Sequence, residues 1–230
     1  MTRLSRRTAL TTAFAGVLAA SLAACSDSED TQNTGAASQE AGETTAAADA
    51  DGGSDSTATV PDGYTAVEIP DTTVAFAIPS DWNVLTSDDA DDDERINAFI
   101  QSTGLDEDTV RLKLEAYSVL AASGADSDAT EELDVQTDSR TTELRSEEEI
   151  SADMEEYGLT PDDLSISTAT TGSGAEARLM SYSLEVVEPQ YTSMVNALNP
   201  DGSGIIVFTV TSTDSAERAQ ELVDAILGSI

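Results

Sequence analysis

Ile205-Ile206-Val207-Phe208-Thr209-Val210, running on through Thr213 into Asp214-Ser215-Ala216-Glu217-Arg218-Ala219-Gln220-Glu221-Leu222, is the stretch whose reading decides the fold of this chain. The six leading residues are apolar on both sides of an extended backbone. Such a run belongs at the centre of a sheet, covered on both faces. The apolar period then changes from two to that of a helix, with Ala219, Leu222, Val223, Ile226 and Ile230 on one side. This spacing predicts a helix that starts at Asp214, with Glu217 completing a capping box. A central strand that hands over directly to an amphipathic helix implies an α+β architecture, with helices laid on a sheet.

Upstream, the same logic gives paired strands. Residues 190–197 and 205–213 flank Pro200-Asp201-Gly202, and 164–170 and 177–184 flank Gly172-Ser173-Gly174, so each pair reads as a hairpin. Ser146-Glu147-Glu148-Glu149 is a capping box, Ile150, Met154 and Tyr157 form a buried stripe, and Gly158 sits where a left-handed terminus is wanted. Strands are expected at 133–137 and 118–122. Between Asp106 and Ala116 two readings compete. Val110, Leu112 and Leu114 alternate like a strand, whereas Val110, Leu114 and Tyr117 follow helical spacing, and the Asp106-Glu107-Asp108 start signal favours the helix. Asp91-Asp92-Asp93-Glu94 opens another helix, which buries Ile96, Phe99 and Ile100 and stops at Gly104. A first hairpin is expected from Val67 and Ile69 against Val74, Phe76 and Ile78, turning at Pro70-Asp71 and ending at Pro79.

Phe76-Ala77-Ile78-Pro79-Ser80-Asp81-Trp82 is similar to the strand-Pro-x-x-Trp opening of small actinobacterial lipoproteins with a PsbP-like fold, and the 205–222 stretch is similar to their closing strand and helix. The resemblance covers most of residues 62–230. It implies a twisted, mostly antiparallel sheet with helices packed on it, in a fold whose members mostly bind other proteins.

The front of the chain points to the same class. Arg3, Arg6 and Arg7 precede an apolar run from Ala9 to Leu22, too short for a bilayer span of about 20 residues. Leu22-Ala23-Ala24-Cys25 then resembles a bacterial lipobox, which implies diacylglyceryl transfer to the Cys25 thiol and cleavage between Ala24 and Cys25. The alternatives are an ordinary signal peptide beside a chance cysteine, or an uncleaved anchor. Cys25 is the only cysteine, and a lone thiol in an exported protein otherwise lacks a purpose. Ser5-Arg6-Arg7-Thr8-Ala9-Leu10 resembles a twin-arginine signal, so export by Sec or Tat stays open. The chain therefore divides into a leader at 1–24, a lipidated cysteine and linker at 25–61, and a domain at 62–230. The linker holds 8 acidic residues, no Lys or Arg and no aromatic, so disorder is expected there. As a flexible coil it should span about 30 to 36 Å.

Formal charge is −35, and loss of the leader with its three arginines takes it to −38. Nucleic acid and anionic headgroups should be repelled. With no histidine and an acylated thiol, Ser-His-Asp and Cys-His catalysis are excluded by composition. No motif calls for a cofactor or metal. Asp88-Asp89-Ala90-Asp91-Asp92-Asp93-Glu94 looks like a calcium loop, but it has Glu94 where an EF-hand needs Gly, so helix start and solvated charge is the better account. Glu147-Glu148-Glu149 and Glu155-Glu156 could pair for acid-base work but read as a wet helix face. Trp82, the one tryptophan, reads as a core plug beside a strand end, and Gly172-Ser173-Gly174 as a turn rather than a phosphate loop.

The expected function is non-enzymatic: a protein tethered to the outer face of the membrane that binds or scaffolds an envelope partner. A carrier for a lipid or small apolar ligand is the alternative, and a carboxylate hydrolase a weaker third. The carrier alone requires an apolar cavity of roughly 300 Å³ or more.

Overall fold

Residues 59–156, 164–185 and 188–230 are described by the computed structural model. The leader, Ala24, Cys25 and nearly all of the linker lie outside them, as do Tyr157 and Gly158, the expected close of the third helix. The elements run β1 (Tyr64–Glu68), β2 (Ala75–Pro79), β3 (Asn83–Thr86), α1 (Asp93–Thr103), α2 (Glu107–Ala116), β4 (Val119–Ala122), β5 (Glu131–Asp138), α3 (Glu147–Glu156), β6 (Ser165–Thr170), β7 (Glu176–Glu185), β8 (Pro189–Leu198), β9 (Ile205–Ser212) and α4 (Ala216–Ser229).

Seven strands form one sheet in the order β3-β4-β5-β9-β8-β7-β6, and every neighbour is antiparallel. β9 therefore has three strands on each side, the central place its apolar run demands. β1 and β2 make a separate two-stranded hairpin. Its turn sets Asp71 at φ 60°, a left-handed conformation that Asp tolerates.

The main core lies on one face of the large sheet. Leu133 and Val135 of β5, Ile206, Phe208 and Val210 of β9, and Val195 of β8 meet Ala219, Leu222, Val223 and Ile226 of α4. The β1–β2 hairpin completes this layer, and Phe76 meets Phe208 edge-on with ring centroids 5.2 Å apart. Arg218 ties the start of α4 to β5 through a two-pronged bond to the buried Glu131 carboxylate, at 2.7 and 3.1 Å.

Among the described residues the opposite face is covered mainly at its flanks. α1 and α2 bury Ile96, Phe99, Val110 and Leu114 on Leu85, Leu120 and Ala122. At the other flank Ile150 of α3 packs on Met180 and Met194. On this face of β9 Val207, half-buried, packs against the Ile150 cluster, and Thr209 and Thr211 are half-buried. The expectation that this strand is covered on both faces is corrected to this extent: among the described residues it is sealed on one side and half-buried on the other.

Local signals account for most boundaries. Asp92 caps α1 by accepting from the N–H groups of Glu94 and Arg95, and Gly104 ends it at φ 76°. The ambiguous 106–116 stretch is helical, because the Asp106 carboxylate caps Thr109, and Val110 and Leu114 are buried while Leu112 stands 52% exposed. Two readings are corrected. α4 is capped by Ser215, whose hydroxyl accepts from the Arg218 N–H at 3.1 Å. That makes Arg218 the third helical residue, so Glu217 closes no box, and Asp214 instead donates its N–H to Ser212. β3 is an edge strand of four residues, too short to show a period in the sequence.

Candidate functional site

Most of the residues that invite a chemical reading have structural duties. In the acidic 88–94 run, the Asp89 carboxylate accepts from the Thr86 N–H and hydroxyl and pairs with Arg95 at 3.2 Å, while Asp92 is the α1 cap. Among the described residues, no three His, Cys, Asp or Glu side chains converge as a metal would require. Glu149 folds back on Ser146 through both the backbone N–H and the hydroxyl, each at 2.8 Å. These bonds hold its carboxyl below the usual range. Glu147 and Glu148 point to solvent, and the side chains of Glu155 and Glu156 lie outside the described residues. Trp82 is half-buried against the main core rather than offered as a platform.

The Gly172-Ser173-Gly174 turn closes the β6–β7 hairpin and docks on the end of α4, where orphan helix carbonyls need donors. Gly172 and Ser173 donate their N–H groups to the carbonyls of Leu227 and Ile230 at 2.7 and 2.9 Å. A Cβ on Gly172 would fall 2.3 Å from the Gly228 carbonyl oxygen, so only glycine permits this approach.

An ionic cluster was not singled out by the sequence reading. Lys113 reaches from α2 to β5, with Nζ 2.8 Å from Glu132 and 3.0 Å from Asp134. Burial acts to lower its pKa, but the two carboxylates prevail and raise it. Asp134 is pushed up, chiefly by burial, with Lys113 opposing and Glu132 adding to the shift. Tyr117, one turn beyond Lys113, is raised by burial and by the Asp134 charge. Lys113 is the only lysine in the chain, and Glu132 and Asp134 share one face of β5. Those two facts are the signal that could have found it.

The feature with the geometry of a binding site lies elsewhere. A half-open cavity of about 360 Å³ sits between the β1–β2 hairpin, the ends of β8 and β9, and the last turn of α4. Ala66, Val74 and Phe76 form the hairpin wall, Ala197 and Ile206 the sheet floor, and Ser229 part of the helix side. Among the described residues no charged side chain lines it. Three of the hydroxyls that line it are hydrogen-bonded. Ser229 accepts from the Ala77 N–H and donates to the Ile226 carbonyl, both at 2.8 Å, and Thr171 and Ser173 share a hydrogen bond. Such a lining offers contact area and exclusion of water.

The described residues contain no helix long and apolar enough to cross a membrane. No family model matches the chain, and no curated protein matches it. Among solved structures the chain is similar to PA94 of Pseudomonas aeruginosa, a protein of unknown function described as a putative regulator. The identity is 10% and the TM-score 0.32, over 71% of this chain and 95% of that one.

Proposed function

We propose that this chain is an extracytoplasmic lipoprotein of the PsbP-like class, exported by Sec or Tat and anchored through Cys25 to the outer face of the membrane, where it works by binding. Its ligand is a small apolar molecule or the apolar part of a larger one. The observation that supports this reading is the cavity, which exceeds the roughly 300 Å³ a carrier needs and whose described lining side chains are uncharged. A scaffold for an envelope protein has no use for such a space, so the carrier reading takes precedence over it. A hydrolase would need converging carboxylates free to act; Glu149 is spent on Ser146, and Glu132 and Asp134 are held by Lys113.

Native mass spectrometry of the mature protein isolated from its own membrane tests both halves. A chain that begins at Cys25 and carries diacylglyceryl is expected, together with a further small molecule lost on denaturation. An unmodified Cys25 would overturn the anchor, and a lipidated chain with nothing else bound would overturn the carrier.

A further inference from the structure

The cavity is half open, whereas binding pockets bury roughly 70 to 90% of a ligand's surface. A carrier with this site has to cover what it holds, and its walls differ in how firmly they are fixed. The floor belongs to the seven-stranded ladder. The helix side is held by the Gly172-Ser173-Gly174 turn, which donates two N–H groups to the carbonyls of Leu227 and Ile230. The β1–β2 hairpin has no such frame. It is a separate two-stranded sheet, and among the described residues a single hydrogen bond joins it to the rest of the domain, from the Ala77 N–H to the Ser229 hydroxyl.

That bond lies at the hairpin's open end, beside the Phe76–Phe208 contact. Toward its turn the hairpin stands between two hollows that face different elements. Ala66, Thr73, Val74 and Ala75 line the cavity, which is bounded beyond them by β8, β9 and α4. The same four residues line a depression of about 590 Å³, bounded beyond the hairpin by Thr86 and Asp88. What holds the turn end is apolar packing of Ile69 and Val74 on the main core. Such packing is non-directional, so it tolerates sliding.

We infer that the β1–β2 hairpin is a lid: its turn end closes over an apolar ligand in the cavity, while the Ser229–Ala77 bond pins its other end. This rests on the proposed carrier role and adds how the site retains its ligand. Closure gains contact with the ligand in front of the turn end and gives up little behind it, where the depression already parts the hairpin from Thr86 and Asp88. The pin stays in place because Ala77 is 1% exposed, and breaking the bond would strand a buried N–H.

The test uses the chain carrying Cys25→Ser, in which spin labels attach only to introduced cysteines. Glu68→Cys marks the turn end, Ser80→Cys the pinned end, and Glu176→Cys the far side of the cavity, all at exposed positions. Decanol is the probe, and calorimetry is expected to show one equivalent bound. Pulsed electron spin resonance should then find the 68–176 distance shortened by more than about 2 Å, the scale of a real rearrangement, and the 80–176 distance unchanged. With Ser229→Ala added, the 80–176 distance should spread or shift on binding as well. Decanol bound once with neither distance altered would overturn the lid and leave the carrier role standing. No binding at all would overturn the carrier role and the lid with it. Equal shifts of both distances, or a pinned end that stays fixed in Ser229→Ala, would remove the pivot from the Ser229–Ala77 bond. Ala66→Trp and, separately, Ala175→Phe fill the cavity from its two sides. Shortening that survives in both would show decanol acting from elsewhere and would overturn the inference.

Discussion

At the scale of single residues, Lys113 carries the heaviest electrostatic load. Its ammonium and the Glu132 and Asp134 carboxylates keep only 18, 26 and 17% of their side-chain exposure, so each is stable there only because of the others. Breaking such a set is worse than never having it, since the survivors stay buried and unpaired. Lys113→Met is expected to cost about 3 kcal/mol in urea unfolding, the low end for a broken buried pair because some water still reaches it. Adding Glu132→Gln and Asp134→Asn to the same chain should restore most of that loss. A single-variant cost below about 1 kcal/mol would mean that the cluster behaves like a surface pair.

The elements show how far the sequence could be read and where physics hid the rest. Helices α1, α2 and α3 announce themselves through side chains that must sit at their starts, Asp92, Asp106 and Ser146. The four longer sheet hairpin strands show through their turns. For α4 the sequence pattern points one residue early, because Asp214 and Ser215 are both good caps and spacing alone does not say which hydroxyl or carboxylate meets an N–H. The structure makes the choice testable. Ser215→Ala should lower stability by about 1 kcal/mol, the usual cost of a lost cap, and Asp214→Ala by a few tenths at most. Equal effects in thermal melts would return the cap to both residues. The cavity was illegible for a different reason. Ala66, Ala75, Ala175 and Ala197 fit their strands and turn equally well beside a neighbour or beside a void, so a hydropathy pattern reads the same in either case. The half-buried face of β9 is a further instance, because Val207, Thr209 and Thr211 suit a covered strand and a wet one alike.

For the whole molecule the governing quantity is charge. The 37 acidic residues of the 62–230 domain face only 7 basic ones, and each pair of neighbouring carboxylates repels within a Debye length. The repulsion opposes the compact state more than the expanded one. Moderate KCl should therefore raise the melting temperature, and divalent salts should act only in proportion to their screening. Mild acid should raise it too, and here two sets of groups oppose each other. The Asp134 carboxyl is raised in the fold, so it binds its proton more tightly folded than unfolded. Its contribution is fully present below the ordinary carboxylate range and is lost as pH rises through its elevated value, which means that lowering the pH from neutral recovers stability. Asp138 is lowered, chiefly by the Arg140 backbone N–H, so its contribution is present above the ordinary range and is lost as pH falls below it. Asp138 keeps 28% of its side-chain exposure against 17% for Asp134, so solvent screens it more, and the first effect governs until the solution is more acidic than the ordinary carboxylate range. The melting temperature should thus climb from neutral pH, pass a maximum on the acid side and then fall. Asp134→Asn should flatten the climb while leaving the response to KCl intact. If micromolar Ca²⁺ stabilised the protein where KCl of matched ionic strength did nothing, the Asp88–Glu94 run would be a cation site, and screening would not be what governs its stability.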